Sequence, residues 1–283
     1  MKNITIQRLR RLIQILALMF ILLIPVLNKL DIHYITGTYF SFSFWGFHIV
    51  DPSMVLQQLL LENGLSFSAY IGAGIIVVLA IITGRAFCSW ICPYFLLREL
   101  LNKFRPQPYL QINKNPSRLQ FWIIPLIIAI IVFMSKIPVM TYISFPGILS
   151  GAIADLILEG IFGIGVFIVV LVVLIELLLN KRFWCKYICP VGATLALFRT
   201  NISLSVRYNP SRCNCLGKFS PCNNVCPLHL NPKSDNLYPT CNNCGECIQT
   251  CNQFGKALQY QLFRKPTSNN NEIVKREEDV YER

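Results

Sequence analysis

The chain has 283 residues, 54% of them apolar and only 14% charged, with a mean hydropathy of +0.49 and a net charge of +12. That balance excludes a disordered chain and points to a membrane protein rather than a soluble globule. Much of the positive charge lies in the segments between apolar runs, where it reads as a topological signal, and this sets aside a nucleic-acid-binding role.

Lys2, Arg8, Arg10 and Arg11 precede the first apolar run, Leu12–Leu27, which approaches the roughly 20 residues a bilayer span needs. Its basic start resembles a secretory signal, but Ile24-Pro-Val-Leu-Asn-Lys-Leu30 offers no small-x-small cleavage site, so an uncleaved helix is expected. The loop that follows carries Lys29 and Phe47-His-Ile-Val-Asp-Pro52. A second run, Ser68–Gly84, leads into Arg85-Ala-Phe-Cys88-Ser-Trp-Ile-Cys92-Pro93 and an amphipathic stretch, Tyr94–Phe104. Arg85, Arg98, Lys103, Arg105, Lys114 and Arg118 separate it from the third run, Leu119–Ser135; the next loop has only Lys136, at its edge, before the fourth run, Ile161–Leu179. Lysine and arginine bias across these segments places both termini in the cytoplasm. Cysteines on that reducing side are read as thiolate ligands rather than disulfides.

After the fourth run, Lys181-Arg-Phe-Trp-Cys185-Lys-Tyr-Ile-Cys189-Pro190 repeats the earlier unit, followed by a second amphipathic stretch, Val191–Phe198. The chain thus reads as two helical hairpins, each closed by C-x3-C-P. Cysteines four apart share a helical face, and the proline disfavours helix at the second cysteine and starts a new helix at its own position. The pairs Cys88/Cys92 and Cys185/Cys189 could converge on one four-thiolate metal or redox site, act separately, or serve only as small buried packing groups.

Beyond residue 200 the chain is polar and cysteine-rich. Cys241-Asn-Asn-Cys244-Gly-Glu-Cys247-Ile-Gln-Thr-Cys251 has the C-x2-C-x2-C-x3-C spacing of a bacterial ferredoxin run. A partner run lies upstream at Cys213, Cys215, Cys222 and Cys226, its first half stretched by about three residues against the usual spacing. With the usual ligand exchange, one [4Fe–4S] cluster takes Cys241, Cys244, Cys247 and Cys226, and the other takes Cys213, Cys215, Cys222 and Cys251. A zinc ribbon would want two C-x2-C pairs across a longer insert. The alternatives for the stretched run are a lost cluster or a three-iron form.

The expected fold is a membrane all-α part of four transmembrane helices in two repeated hairpins, then a small cytoplasmic α+β ferredoxin-like domain with two clusters. The boundaries are 1–11 for the N-terminus, 12–200 for the membrane domain, 201–264 for the dicluster domain and 265–283 for a polar tail read as disordered.

Taken together, Arg10-Arg-Leu-Ile-Gln14, Asp51-Pro-Ser-Met-Val-Leu-Gln57, Phe87-Cys-Ser-Trp-Ile-Cys-Pro93, Trp184-Cys-Lys-Tyr-Ile-Cys-Pro-Val-Gly-Ala193 and the two ferredoxin runs resemble the NapH family of membrane ferredoxin-type quinol dehydrogenase components. The wider clan includes NosR regulators, whose large flavin domain finds no room in the short outer loops here. It also includes CcoG copper reductases, which add a β-sandwich after the clusters, while this sequence runs about thirty residues past Cys251. The resemblance implies oxidation of membrane quinol, with electrons passed to a periplasmic ferredoxin of NapG type or a c-type cytochrome feeding a reductase, nitrate reductase by association. Clusters inside and an acceptor outside conflict unless a relay connects them. Quinol oxidation needs a proton acceptor beside an apolar slot, which nominates Glu176, His48 and Asp51, with His33 and His229 behind them. Copper reduction for metalloenzyme assembly, since soft thiolates suit Cu(I), and a non-catalytic membrane anchor are the alternative functions.

Overall fold

A computed structural model describes residues 2–30, 35–38, 41–44, 47–61, 64–104, 118–136, 139–179, 182–200, 202–215, 221–234, 237, 239–253 and 255–262. His33, Lys181, the basic stretch 105–117 and the tail 265–283 lie outside the described residues.

Each apolar run becomes a helix: α1 spans Lys2–Lys29, and between it and the next run come β1 (Ile35–Thr38), β2 (Ser41–Phe44), β3 (Phe47–Val50) and α2 (Pro52–Leu60). Then follow α3 (Phe67–Thr83), α4 (Phe87–Trp90), α5 (Pro93–Phe104), α6 (Arg118–Ser135), α7 (Val139–Ile143), α8 (Phe145–Leu158) and α9 (Ile164–Leu179). A π-helical turn at Trp184–Ile188 precedes α10 (Pro190–Leu197). Among the described residues only α1 is long and apolar enough by itself to cross a bilayer, over Ile6–Lys29 at a mean hydropathy of 2.2. α3, α8, α9 and Pro125–Ser135 of α6 are shorter apolar helices. Large apolar side chains stay exposed along them at helical spacing: Leu12, Leu16, Met19 and Leu23 on α1, and Ile71, Ile75, Val78 and Ile82 on α3.

The two expected outer loops depart most from the sequence reading, because both are folded inward. In the first, β1, β2 and β3 make an antiparallel sheet with Thr36 opposite Ser43 and Ser43 opposite His48. The all-α membrane part is corrected accordingly: Ile-Thr-Gly-Thr, Ser-Phe-Ser-Phe and Phe-His-Ile-Val are β-branched and aromatic segments, which favour a pleated surface over a helix. The sheet lies on α3 where Gly72 has no side chain, since a Cβ there would overlap the His48 carbonyl. In the second loop stand α7 and α8.

One helix of each loop, α2 and α8, starts beside the C-x3-C-P units. Asp51 caps α2 by accepting a hydrogen bond from the Ser53 N–H (2.7 Å), with Pro52 in the first helical turn. One turn on, Met54 packs with Cys88, Cys189, Val191 and Leu195. α8 starts from an extended Ser144 with Pro146 in its first turn, and Phe145 packs with Cys92, Cys185, Tyr94 and Val172. A further correction concerns α10. Its residues Pro190–Ala196 are all buried, with Trp122 of α6 packed on Ala193 and Ala196, so it is a core helix rather than an amphipathic one.

The C-terminal part pairs β4 (Ser205–Tyr208) with β5 (Leu258–Gln261), Val206 opposite Tyr260. A 3-10 turn at Pro210–Arg212, α11 (Pro221–Asn224) and α12 (Glu246–Cys251) complete it. Val206, Leu228, Leu230, Leu237, Ile248 and Leu258 form its core together with cysteines of both runs.

Candidate metal centres

The two C-x3-C-P units meet. Cys88 and Cys189 pack against the same side chains of α3 and α10, and Cys92 and Cys185 against the same side chains of α5, α8 and α9. Every one of the four thiols lies within electrostatic reach of the other three. The proline rule works as the sequence suggests: α4 stops before Cys92, Cys189 is extended (φ −61°, ψ 114°), and α5 and α10 begin at Pro93 and Pro190.

Burial pushes the Cys92 thiol up, the charges of Cys88 and Cys189 add to this, and the backbone N–H groups of Tyr94 and Phe95 oppose it. Burial likewise raises Cys189 to about 11, helped by Cys88 and opposed by the N–H groups of Gly192 and Phe145. Cys185 is pushed well above the ordinary thiol value by burial and then by Cys92 and Cys189. Burial raises Cys88 too, and the nearby Arg85 guanidinium counters it. Such a group is a poor set of free thiolates, and a metal bound there would supply the positive charge that burial withholds. The first turns of α5, α8 and α10 aim their N–H groups at it, a favourable setting for negative charge. Among the described residues no three cysteine, histidine or acidic side chains stand close enough to hold one metal ion. A cluster asks for something wider, one thiolate at each iron of a cube.

A second group comprises Cys226, Cys241, Cys244 and Cys247, which line one small cavity whose walls are Val206, Leu228, Leu230 and Leu237. The Leu230 N–H points at Cys226 Sγ (3.4 Å), and burial lifts that thiol to about 11. A third group gathers Cys213, Cys215, Cys222 and Cys251 around the packing of α11 on α12. The Leu258 N–H points at Cys251 Sγ (3.3 Å), and burial raises Cys222 to about 11. The stretch 216–220, where this run departs from the usual spacing, lies outside the described residues.

The first two groups are joined by a row of consecutive carbonyls. Arg85 Nη1 donates to Pro239 O (3.1 Å) and Thr240 O (3.2 Å), and Arg199 Nη1 to Cys241 O (3.1 Å). Ser89 Oγ donates to Asn242 O (2.6 Å), and Trp90 Nε1 (3.3 Å) and the Tyr260 hydroxyl (2.7 Å) to Asn243 O. Gln7 Nε2 and Arg10 Nη1 both donate to Cys244 O (3.2 Å each). The other arm of Arg85, Nη2, reaches Cys185 O (3.2 Å), and the absence of a side chain at Gly192 makes room for it. Arg182 is buried over the Phe95 ring (4.3 Å), where its charge acts on Cys185 of one group and on Cys226 and Cys244 of the other.

The sequence counted Arg10, Arg85, Arg98 and Arg182 as topological charge; all four are buried. Arg10 also pairs with Glu246 (2.6 Å) and Glu99 (3.0 Å). A legible signal existed, because Gln7, Arg10 and Gln14 recur at helical spacing and Gln14 stands inside the apolar run. The three candidate proton acceptors fall in different settings. Glu176 is arginine-paired, with Arg98 Nε at 3.5 Å, and accepts hydrogen bonds from the Tyr94 hydroxyl and the Trp184 N–H (2.7 Å). His48 is exposed on β3. Asp51 is buried, and both Ser53 donors go to its Oδ1.

The chain matches the 4Fe-4S binding domain family twice, over residues 65–108 and 162–205. Each match contains one C-x3-C-P unit, not the ferredoxin runs. The chain is 29% identical to the ferredoxin-type protein NapH of Escherichia coli, over 81% of this chain and 86% of that protein. It is 28% identical to the methylamine utilization ferredoxin-type protein MauN of Methylorubrum extorquens, over 87% of this chain and 74% of that protein. This chain is a homologue of the NapH and MauN ferredoxin-type proteins. The putative electron transport protein YccM of Escherichia coli is 25% identical over 68% of this chain and 55% of its own length. No solved structure matches this chain.

Proposed function

We propose that this chain is a membrane electron-transfer protein with three cysteine-ligated iron–sulfur sites. Cys88, Cys92, Cys185 and Cys189 hold one; Cys226, Cys241, Cys244 and Cys247 the second; Cys213, Cys215, Cys222 and Cys251 the third. When bound, such clusters accept and donate single electrons. The observation that carries this reading is the row of carbonyls at 239–244, which six side chains from the first 200 residues (Gln7, Arg10, Arg85, Ser89, Trp90 and Arg199) hold beside the first site. Arg85, Arg182 and the helix starts supply fixed positive potential around buried sulfur, and the leucine walls keep water out.

The finer reading is that of a quinol dehydrogenase component in an anaerobic respiratory chain. Its helices cross the inner membrane four times with cytoplasmic termini, in keeping with the apolar faces left exposed and the basic segments between them. Its partners are membrane quinol and a periplasmic ferredoxin or c-type cytochrome, in a nitrate reductase system. Iron and sulfide analysis with EPR on anaerobically purified protein tests the sites. Three sites give about twelve irons, and the double variant C88A/C185A gives about eight. Eight irons in both would remove the C-x3-C-P site. EPR signals that ignore added quinol would remove the quinol reading and leave electron transfer from another donor.

A further inference from the structure

A cavity of about 220 Å3 lies on the side of α4 lined by Phe87 and Ile91, the residues that precede Cys88 and Cys92 in the chain. Ala17 and Phe20 of α1, Phe42 and Ile49 of the sheet and Ile76 of α3 complete its apolar wall. Among the described residues its one ionisable lining group is Asp51, which is 8% exposed. Ser53 occupies Oδ1 of that carboxylate, and among the described residues Oδ2 has no partner. The apolar lining side chains are half-buried, so the slot is neither sealed nor flat surface. The rings of Phe20 and Phe42 meet edge to face at 5.2 Å on one wall.

The chemistry of the slot selects its occupant. An apolar cavity of roughly 150 Å3 holds a benzene ring, so this one has room for a ring with substituents. A hydrocarbon tail would leave Oδ2 buried without a donor, which is costly. A ring bearing a hydroxyl satisfies both surfaces. The slot adjoins the cysteines of the first site, and Asp51 lies within electrostatic reach of Cys88, so a redox-active ring gains most from the position. The rival acceptors are less suited, because Glu176 already accepts from Tyr94 and Trp184 and is paired with Arg98, and His48 is exposed.

We propose that this slot binds the ring of a hydroquinone, with Asp51 Oδ2 accepting a hydrogen bond from a ring hydroxyl. It rests on the quinol reading above and gives that reading a place in the fold. The test is calorimetric titration of the anaerobic full chain in detergent with menadiol and, separately, with duroquinol, which tells a naphthol ring from a single one. Saturable binding of either at one site is expected. Ala17→Leu and Ile76→Phe, which fill the slot, should each weaken it by about tenfold or more, and Asp51→Asn by about tenfold. Iron content and reduction by dithionite should stay at wild-type levels in all three. Unchanged affinity in the slot-filling variants would place the ring elsewhere and overturn the slot while sparing the quinol reading. No saturable binding to the wild type would sink both and leave the iron–sulfur reading untouched. Should a variant lose iron, labelling of the wild type with an azidoquinone decides: label in residues 17–20, 42–51 or 76–91 supports the slot, and label confined to other segments overturns it.

Discussion

Asp51 shows how a side chain can be kept at a cost to stability. Burial raises its carboxyl above the ordinary value, against hydrogen bonds from the Ser53 hydroxyl and N–H. The folded chain therefore holds that proton to higher pH than the unfolded chain does, and native stability falls as pH climbs from the ordinary carboxyl range through the raised value. Asp51→Asn keeps an oxygen for Ser53 and removes the charge. It should melt higher than wild type at pH 7 and equal to it below about pH 4, where both states of the wild type are protonated. Thermal melting across pH, read by circular dichroism, checks this. A variant that gains stability and loses hydroquinone affinity has the signature of a functional group rather than a structural one. Arg85 is the opposite case, because its fork joins three backbone carbonyls from two parts of the molecule. Arg85→Met should cost about 3 kcal/mol, since buried acceptors lose a charged donor. Denaturant unfolding followed by iron–sulfur absorbance would show it, and a wild-type midpoint would contradict the role.

At the scale of elements, the helices that start beside the first cysteine site or the slot have proline in their first turn: α2 at Pro52, α5 at Pro93, α8 with Pro146 and α10 at Pro190. Pro93 and Pro190 were legible, because each directly follows a duplicated cysteine pair. Pro52 and Pro146 were not read as helix starts, although Asp51 and Ser144 before them are N-cap residues. They sat in segments short of charge that topology alone made into outer loops, and a topological argument says nothing of how far a loop folds back. The apolar runs of α1, α3, α6 and α9 were legible because hydropathy over a long window is a strong signal. The sheet was missed because its strands are four residues each and their alternation is brief. That sheet reaches the slot only because Gly72 lets it lie on α3. Gly72→Ala should cost about 1–3 kcal/mol, as a forced backbone shift in a packed region does. Gly74→Ala, which meets nothing within 4 Å, should be neutral or stabilising by up to about 1 kcal/mol. Paired melting curves of the two variants separate the contact from the general effect of adding a methyl group to the helix.

For the whole molecule, the positive charges have two uses where the sequence reading saw one. A lysine or arginine between apolar runs is legible as topology, whereas its burial against a distant carbonyl depends on a contact more than two hundred residues away, as for Arg10 and Cys244. The ferredoxin spacing was legible for the same reason in reverse, because such a run places its cysteines within about ten residues of one another. The docking has a physical consequence. Arg10 is fully buried with Glu99 and Glu246 against it, and Arg85 and Ser89 are nearly so. Salt screens exposed charges over about 10 Å at 0.1 M but reaches buried pairs poorly. The cysteine-rich part should therefore stay seated in 1 M sodium chloride, and limited proteolysis there should give the low-salt pattern. Arg10→Met leaves two carboxylates facing each other near a buried carbonyl, at a cost of about 3 kcal/mol. Combined with Arg85→Met it should free the part beyond residue 200 to be cut away at any salt concentration. Release of that part from the wild type by salt alone would mean that exposed ion pairs, and not the buried row of carbonyls, hold the two halves together.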